Sequence, residues 1–333
     1  MILLIKVKKS LFAFLLILLL GACSNQASIY EGIPSEGDGV IAVDIPDNNE
    51  VVESEPGHKV NELSETEKDL IEDLHESEED KISFIVVDVE NKQVMRSYLA
   101  SQPRRLASIS KLSTAIGALE NVNNIEVPKV KKMLKNSDNG EASRYVRLAA
   151  KAINGTIAPG SAYTQSHSCP IAFLDDEIAA HTVLDWLMDS LSSVDWTDAS
   201  INDGAGCHYD NFMNSIQVAR IIEFSDSKGQ SYDGLSFEKL LSISGTDGTW
   251  KNKNKDHKGR ILAKTGTLNP NSNLAGFFYA KRGGDMKKYY FTVFVEKKGG
   301  GQYTTKARKL IESLMRYWIN YYSMEKGEPI SPF

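Results

Sequence analysis

Residues 105–119 read RLASISKLSTAIGAL, and from Ser108 onward apolar residues recur at the spacing of a helix. Ser108 and Lys111 are three positions apart, so a helix places both side chains on one face, one turn apart. Ser108 falls at the helix start, where backbone N–H groups and the helix dipole favour negative charge. A lysine held there, partly shielded from water, can lose its proton and act as a base toward a hydroxyl. The segment therefore predicts a helix that carries a serine nucleophile and its base.

The sequence on either side of this helix predicts strands at both ends and helices in the middle. Residues 82–89 and 94–99 are rich in β-branched residues and are joined by a turn, which predicts a β-hairpin. Helical spacing predicts four further helices, at 127–134, 140–153, 176–191 and 211–224. Three more strands, at 260–264, 273–282 and 288–295, precede an amphipathic helix at 304–321.

The order of these elements predicts an α/β fold of the α+β type. Its simplest form is an antiparallel sheet built from both ends of the chain and flanked by helices. An all-helical subdomain, at about residues 106–225, would be inserted between the two groups of strands.

Two further motifs follow the first. SDN at 137–139 lies between two predicted helices, and KTGT at 264–267 ends a predicted strand. A hydroxyl can relay a proton and a carboxamide can hold a peptide carbonyl, whereas the strand motif offers a fixed positive charge beside a hydroxyl. Each motif alone is weak, since SxxK, SDN and KTG all occur by chance in helices, turns and strand ends.

In this order and context the three motifs resemble the SxxK, SDN and KTG set of penicillin-binding proteins and class A β-lactamases. The resemblance is closest to the low-molecular-mass, serine-type D-alanyl-D-alanine carboxypeptidase/endopeptidase branch. It extends to the segments RLASISKL at 105–112, MLKNSDN at 133–139, DGAG at 203–206, SGTDGT at 244–249 and NLAG at 273–276. It implies the β-lactamase/transpeptidase-like version of the predicted fold.

The resemblance implies a role for each motif residue. Ser108 would attack the carbonyl between two D-alanines of a peptidoglycan stem peptide, and Lys111 would accept its proton. Ser137 would pass a proton to the leaving amine. The backbone N–H groups of Ser108 and Thr267 would bind the oxyanion. The residues that bind substrate would be Asn139, Lys264, Thr265, Gly266 and Thr267. β-Lactams would act as inhibitors, and we expect no cofactor, no metal and no nucleic-acid partner.

Two features depart from the family pattern. Only 25 residues separate Lys111 from Ser137, where relatives carry large inserted domains, so this chain would be a compact version. The loop that usually reads DGSGLS is DGAGCH, with Ala205, Cys207 and His208 at the changed positions. His208 would contact either substrate or only its own loop.

Residues 1–22 predict a lipoprotein signal peptide. Three lysines precede an apolar run at 11–20, and LGA leads directly to Cys23. This resembles a bacterial lipobox, with Cys23 as the lipidated residue; an ordinary signal peptide or an uncleaved anchor is the alternative. The protein would be exported and anchored by lipid to the periplasmic or extracellular face of a bacterial membrane. Ser24 after Cys23 favours the outer membrane in a cell that has one.

Residues 23–80 predict an acidic tether. Eighteen Asp and Glu face two Lys in residues 24–80, which gives that stretch a net charge of −16. Because the whole chain carries −6 and the signal peptide +3, residues 81–333 carry +7. The composition of the tether buries too little apolar surface to fold alone, apart from a short helix near residues 62–74. The peptidase domain would span residues 81–333.

The remaining cysteines, Cys169 and Cys207, form an even pair in a predicted exported protein, which favours a disulfide over two buried thiols. The six histidines are dispersed and lack the spacing of metal ligands.

Two other functions stay open. A β-lactamase-like hydrolase would share the first steps, but no ExxxN follows Asn139 in the expected stretch, where Gln165 and His167 are poor substitutes. A non-catalytic cell-wall-binding lipoprotein is the second alternative, for which the DGAGCH loop is the best argument.

Overall fold

A computed structural model describes residues 63–72, 81–155, 174–269, 271–296 and 302–324. Six of its strands form one sheet in which all neighbours are antiparallel. They are β1 (Lys81–Asp88), β2 (Gln93–Tyr98), β5 (Ser242–Ile243), β6 (Ile261–Leu268), β7 (Asn271–Arg282) and β8 (Asp285–Glu296). The order across the sheet is β2-β1-β8-β7-β6-β5, so β1 near the start pairs with β8 near the end. The predicted sheet is confirmed.

The helices lie mostly between the two groups of strands, as predicted. They are α1 (Glu65–Glu72), α2 (Lys111–Asn121), α3 (Val127–Asn136), α4 (Asn139–Asn154), α5 (Leu174–Ser190), α6 (Ser215–Ser227) and α7 (Gln302–Tyr322). Two short strands, β3 (Arg104–Arg105) and β4 (Phe212–Met213), pair with each other apart from the main sheet.

The sheet is buried on both faces. In β7, Leu274 and Phe278 pack in the apolar cluster that includes α7, whereas Ala275 and Phe277 pack with the helical subdomain. This alternation follows from the two-residue period of a strand. The sheet therefore separates α7 from the helices that carry most of the site.

Helix α2 is the centre of the helical subdomain. Every residue from Lys111 to Ala118 is buried. A Cβ on Gly117 would lie 2.8 Å from Val183 Cγ1, so α5 packs directly against the α2 backbone. An amphipathic surface helix would not show this all-round burial.

Three predicted boundaries shift for local reasons. The first helix begins at Lys111, because Ala107–Ser110 forms a 3₁₀ turn. Strand β6 continues to Leu268 and so includes the whole KTGT motif. The helix expected from residue 211 begins at Ser215, because Asn214 and Gln217 form a capping box and residues 212–213 form β4.

The predicted boundary at residue 81 is too late, because α1 packs on the folded domain. The fully buried carboxylate of Glu67 accepts hydrogen bonds from Ser64 N at 2.8 Å and Trp318 Nε1 at 2.8 Å. Arg96 lies 3.6 Å from the same carboxylate. A capping box and one buried Ile71 thus attach the end of the predicted tether to α7.

The predicted signal peptide, Cys23 and the tether up to residue 62 lie outside the described residues. No helix within the described ranges combines the length and the apolar character needed to cross a membrane.

We predict that Glu67→Ala lowers the free energy of unfolding by about 3–5 kcal/mol, because it leaves Arg96 buried without its partner. The control Glu65→Ala removes an exposed pair with Lys68 and should cost about 0.5 kcal/mol or less. Urea denaturation of the full chain measures both. Equal stability of the two variants would contradict the docking of α1.

Candidate active site

Ser108 lies on the 3₁₀ turn that leads into α2, and β6 and β7 hold this turn from below. Asn273 Nδ2 donates hydrogen bonds to Arg105 O at 2.8 Å and Leu106 O at 3.0 Å. A Cβ on Gly266 would lie 2.8 Å from Leu106 O, so only glycine lets β6 approach this closely. Ser108 itself is partly exposed. The sheet therefore fixes the turn while leaving the hydroxyl accessible.

Lys111 is completely buried beside Ser108. Its Nζ lies 3.0 Å from Ser108 Oγ and donates to Asn139 Oδ1 at 2.8 Å and to the carbonyl of Ala205. Burial lowers the pKa of Lys111 to about 7, although attraction by Asp203 and Asp138 opposes this. The amine can therefore lose its proton near neutral pH and accept one from the hydroxyl.

Ser137 and Lys264 form the second half of the site. Ser137 ends α3 in the left-handed conformation, with φ 57°, while Asp138 caps α4 by accepting from Glu141 N at 3.0 Å. Lys264 Nζ donates to Ser137 Oγ at 3.0 Å and to Thr265 O at 2.6 Å. Burial, together with repulsion from Lys111, holds the pKa of Lys264 well below its usual value.

The DGAGCH loop contributes a backbone carbonyl to this site. The Asp203 carboxylate accepts hydrogen bonds from the N–H groups of Gly206 and Cys207, the latter at 3.0 Å. Gly206 has φ 80°, and a Cβ there would lie 1.9 Å from Ala107 O. The loop thus directs Ala205 O toward Lys111 Nζ and Ser108 Oγ. Asp203 and Ala205 were not predicted as site residues, although the Asp-Gly-x-Gly spacing was the available signal.

This geometry explains why the altered loop is compatible with the site. Ala205 acts through its carbonyl, so the loss of a serine hydroxyl there leaves the contact to Lys111 intact. His208 Nδ1 accepts from Asp210 N at 3.1 Å and lies 3.8 Å from its carboxylate. These contacts favour the reading of His208 as a residue that contacts only its own loop.

The exposed edge of β6 borders Ser108. Within the described residues, β5 pairs with β6 only at Leu262 and Ala263, which leaves the edge beyond them without a partner strand. Thr265 Oγ1 donates to Thr249 Oγ1 at 2.8 Å, from the predicted SGTDGT segment. Thr267 is exposed on the same edge. An extended peptide could pair with this edge and bring its carbonyl to Ser108.

The structure thus brings together every motif residue predicted for the site. Cys207 is disulfide-bonded, and its predicted partner Cys169 lies outside the described residues, as do Gln165 and His167. In the described part of the chain, no group of three or more His, Cys, Asp or Glu could hold a metal ion.

Comparison with known proteins agrees with this geometry. The sequence model of the D-Ala-D-Ala carboxypeptidase 3 (S13) family matches residues 127–316, which include Ser137, Asn139 and the KTGT motif. The match begins after Ser108 and Lys111. None of the curated proteins searched matches the sequence.

Several solved structures share the fold. Penicillin binding protein 4 from Haemophilus influenzae has a TM-score of 0.60 at 12% identity, over 77% of this chain and 99% of that one. TLA-3 extended-spectrum β-lactamase has 0.52 at 14%, over 76% and 98%. The penicillin G-acylated predatory endopeptidase from Bdellovibrio bacteriovorus has 0.50 at 12%, over 75% and 95%. At such identities the likeness establishes the fold alone.

The pKa of Lys111 predicts how acylation of Ser108 depends on pH. Lys111 is neutral, and so able to act as a base, above about pH 7. The rate constant for acylation by a penicillin should therefore rise about tenfold per pH unit below the pKa and level off above it. Rapid-quench measurements between about pH 5 and 9 test this. A flat profile, or a midpoint near the ordinary lysine pKa, would contradict the role of Lys111.

Proposed function

The chain belongs to the D-Ala-D-Ala carboxypeptidase 3 (S13) family, and from that premise we propose how this serine-type D-Ala-D-Ala carboxypeptidase uses its residues. Ser108 is the nucleophile and Lys111 is its base. One observation carries this assignment: the buried Lys111 Nζ lies 3.0 Å from Ser108 Oγ, the reach needed for direct proton transfer.

In the acylation step, Ser108 Oγ attacks the carbonyl carbon between the last two D-alanines of a peptidoglycan stem peptide. The hydroxyl proton moves to Lys111 Nζ. The backbone N–H groups of Ser108 and Thr267 stabilise the negative oxygen of the tetrahedral intermediate. The close approach of β6 to the Ser108 turn at Gly266 supports this pairing of donors.

Collapse of the intermediate breaks the C–N bond. Ser137 donates its proton to the leaving amine of the terminal D-alanine and is reprotonated through the neighbouring lysines. The 3.0 Å contact between Lys264 Nζ and Ser137 Oγ supports this relay. Water then attacks the acyl-enzyme, loses its proton to Lys111, and releases the shortened peptide and free Ser108.

Asn139 and the β6 edge hold the substrate. The Asn139 amide, fixed by Lys111 at 2.8 Å, binds a peptide carbonyl of the acyl part. Lys264, Thr265, Gly266 and Thr267 accommodate the leaving residue along the free edge. An edge strand gives backbone hydrogen bonds to a peptide of any side chains, so these contacts set position more than side-chain preference.

The test is the release of D-alanine from diacetyl-L-Lys-D-Ala-D-Ala by the full chain. We expect release by the wild type, no release by Ser108→Ala, and no cleavage of the peptide that ends in L-Ala-L-Ala. The exposed-site control Ser227→Ala should match the wild type. Release that survives in Ser108→Ala would move the nucleophile elsewhere, and rapid turnover of a penicillin without D-alanine release would favour a β-lactamase.

We further propose that the protein is exported and anchored by lipid at Cys23. The lipobox-like sequence before Cys23 supports this, as does a substrate class found in the cell wall. In a bacterial host, the wild type should sediment with membranes and take up a labelled fatty acid. Cys23→Ala should lose the label and leave the membrane fraction. Equal labelling of both proteins would contradict the proposal.

A further inference from the structure

Arg308 lies at the edge of the proposed site without a role in the mechanism above. It lies on α7, where the buried Ala307 and Ile311 fix the helix against the sheet. Its Nη2 donates a hydrogen bond to Thr267 Oγ1 at 3.2 Å. Among the described residues, no carboxylate pairs with Arg308. A cation thus stands beside the last residue of the KTGT motif with its charge uncompensated.

The two threonines of that motif share one face of β6. Ile261 and Ala263 pack in the α7 cluster, so the two-residue period also places Thr265 and Thr267 on the α7 side. Lys264 points the opposite way, where its Nζ contacts Ser137. The charge that an anion would meet on the threonine face therefore comes from Arg308 more than from Lys264.

The other arginine near this edge is already compensated. Arg105 Nη1 lies 2.9 Å from Glu296 Oε1, in a pair that is about one-third exposed or less on either side. Arg308 by contrast keeps donors free for a ligand, and its planar guanidinium can bind a carboxylate through two N–H groups.

We propose that Arg308 is a specificity-determining residue that binds the free carboxylate of the substrate's C-terminal residue, together with the hydroxyls of Thr265 and Thr267. This inference rests on the proposed function, which places the leaving residue along this edge. It assigns to the enzyme a preference for peptides with a free carboxylate directly after the scissile bond, over the same peptides ending in an amide.

The test compares two substrates, diacetyl-L-Lys-D-Ala-D-Ala and its C-terminal amide, with the full-length wild type and Arg308→Ala. Loss of a charge-assisted contact should lower kcat/KM for the acid about 10- to 100-fold. The value for the amide should change by less than about twofold, because the amide offers no charge to pair. Arg308→Lys, which keeps the charge but not the fork, should fall in between.

The neighbouring Lys309→Ala is the matched control. Lys309 is exposed one position along the helix, about 100° around it, and its removal should change neither substrate. An acid-to-amide ratio in Arg308→Ala equal to that of the wild type would overturn the inference and leave the proposed function standing. If the wild type cleaves neither peptide, the proposed function fails and the inference with it.

Discussion

Lys111 and Lys264 are both completely buried within one site, and their burial is the constraint on which the rest of the structure depends. A buried ammonium group is costly unless it is hydrogen-bonded or loses its charge. Here Lys111 meets three oxygens, from Ser108, Asn139 and Ala205, and its pKa falls to about 7. The chemistry and the packing thus have the same cause, because the burial that makes the amine costly also makes it a base.

Each of the three oxygens belongs to a different part of the fold. Ser108 is held by the 3₁₀ turn on β6 and β7, Asn139 by the junction of α3 and α4, and Ala205 by the loop around Asp203. The central position of α2 allows all three to converge, since it is buried from Lys111 to Ala118. A shift in any of these supports would move an oxygen away from Lys111 Nζ and leave buried polar groups without partners.

The sequence predicted those parts of the molecule that depend on residue type and spacing. The three motifs specify chemical groups, and the strands of β7 and β8 are long enough to be read from their composition. Ala205 could not be found in this way, because its carbonyl is the same in every residue and its direction depends on Gly206. The docking of α1 was hidden by acidic composition, since only Glu67 and Ile71 are buried there.

The most direct test of the account is intact-protein mass spectrometry after exposure to a penicillin, followed over time once free drug is removed. The account predicts a single adduct per chain that forms on the wild type, is absent from Ser108→Ala, and is released slowly. A nucleophile that is not Ser108 would give the same adduct on both proteins. The absence of any adduct on the wild type would contradict the claim that Lys111 activates Ser108.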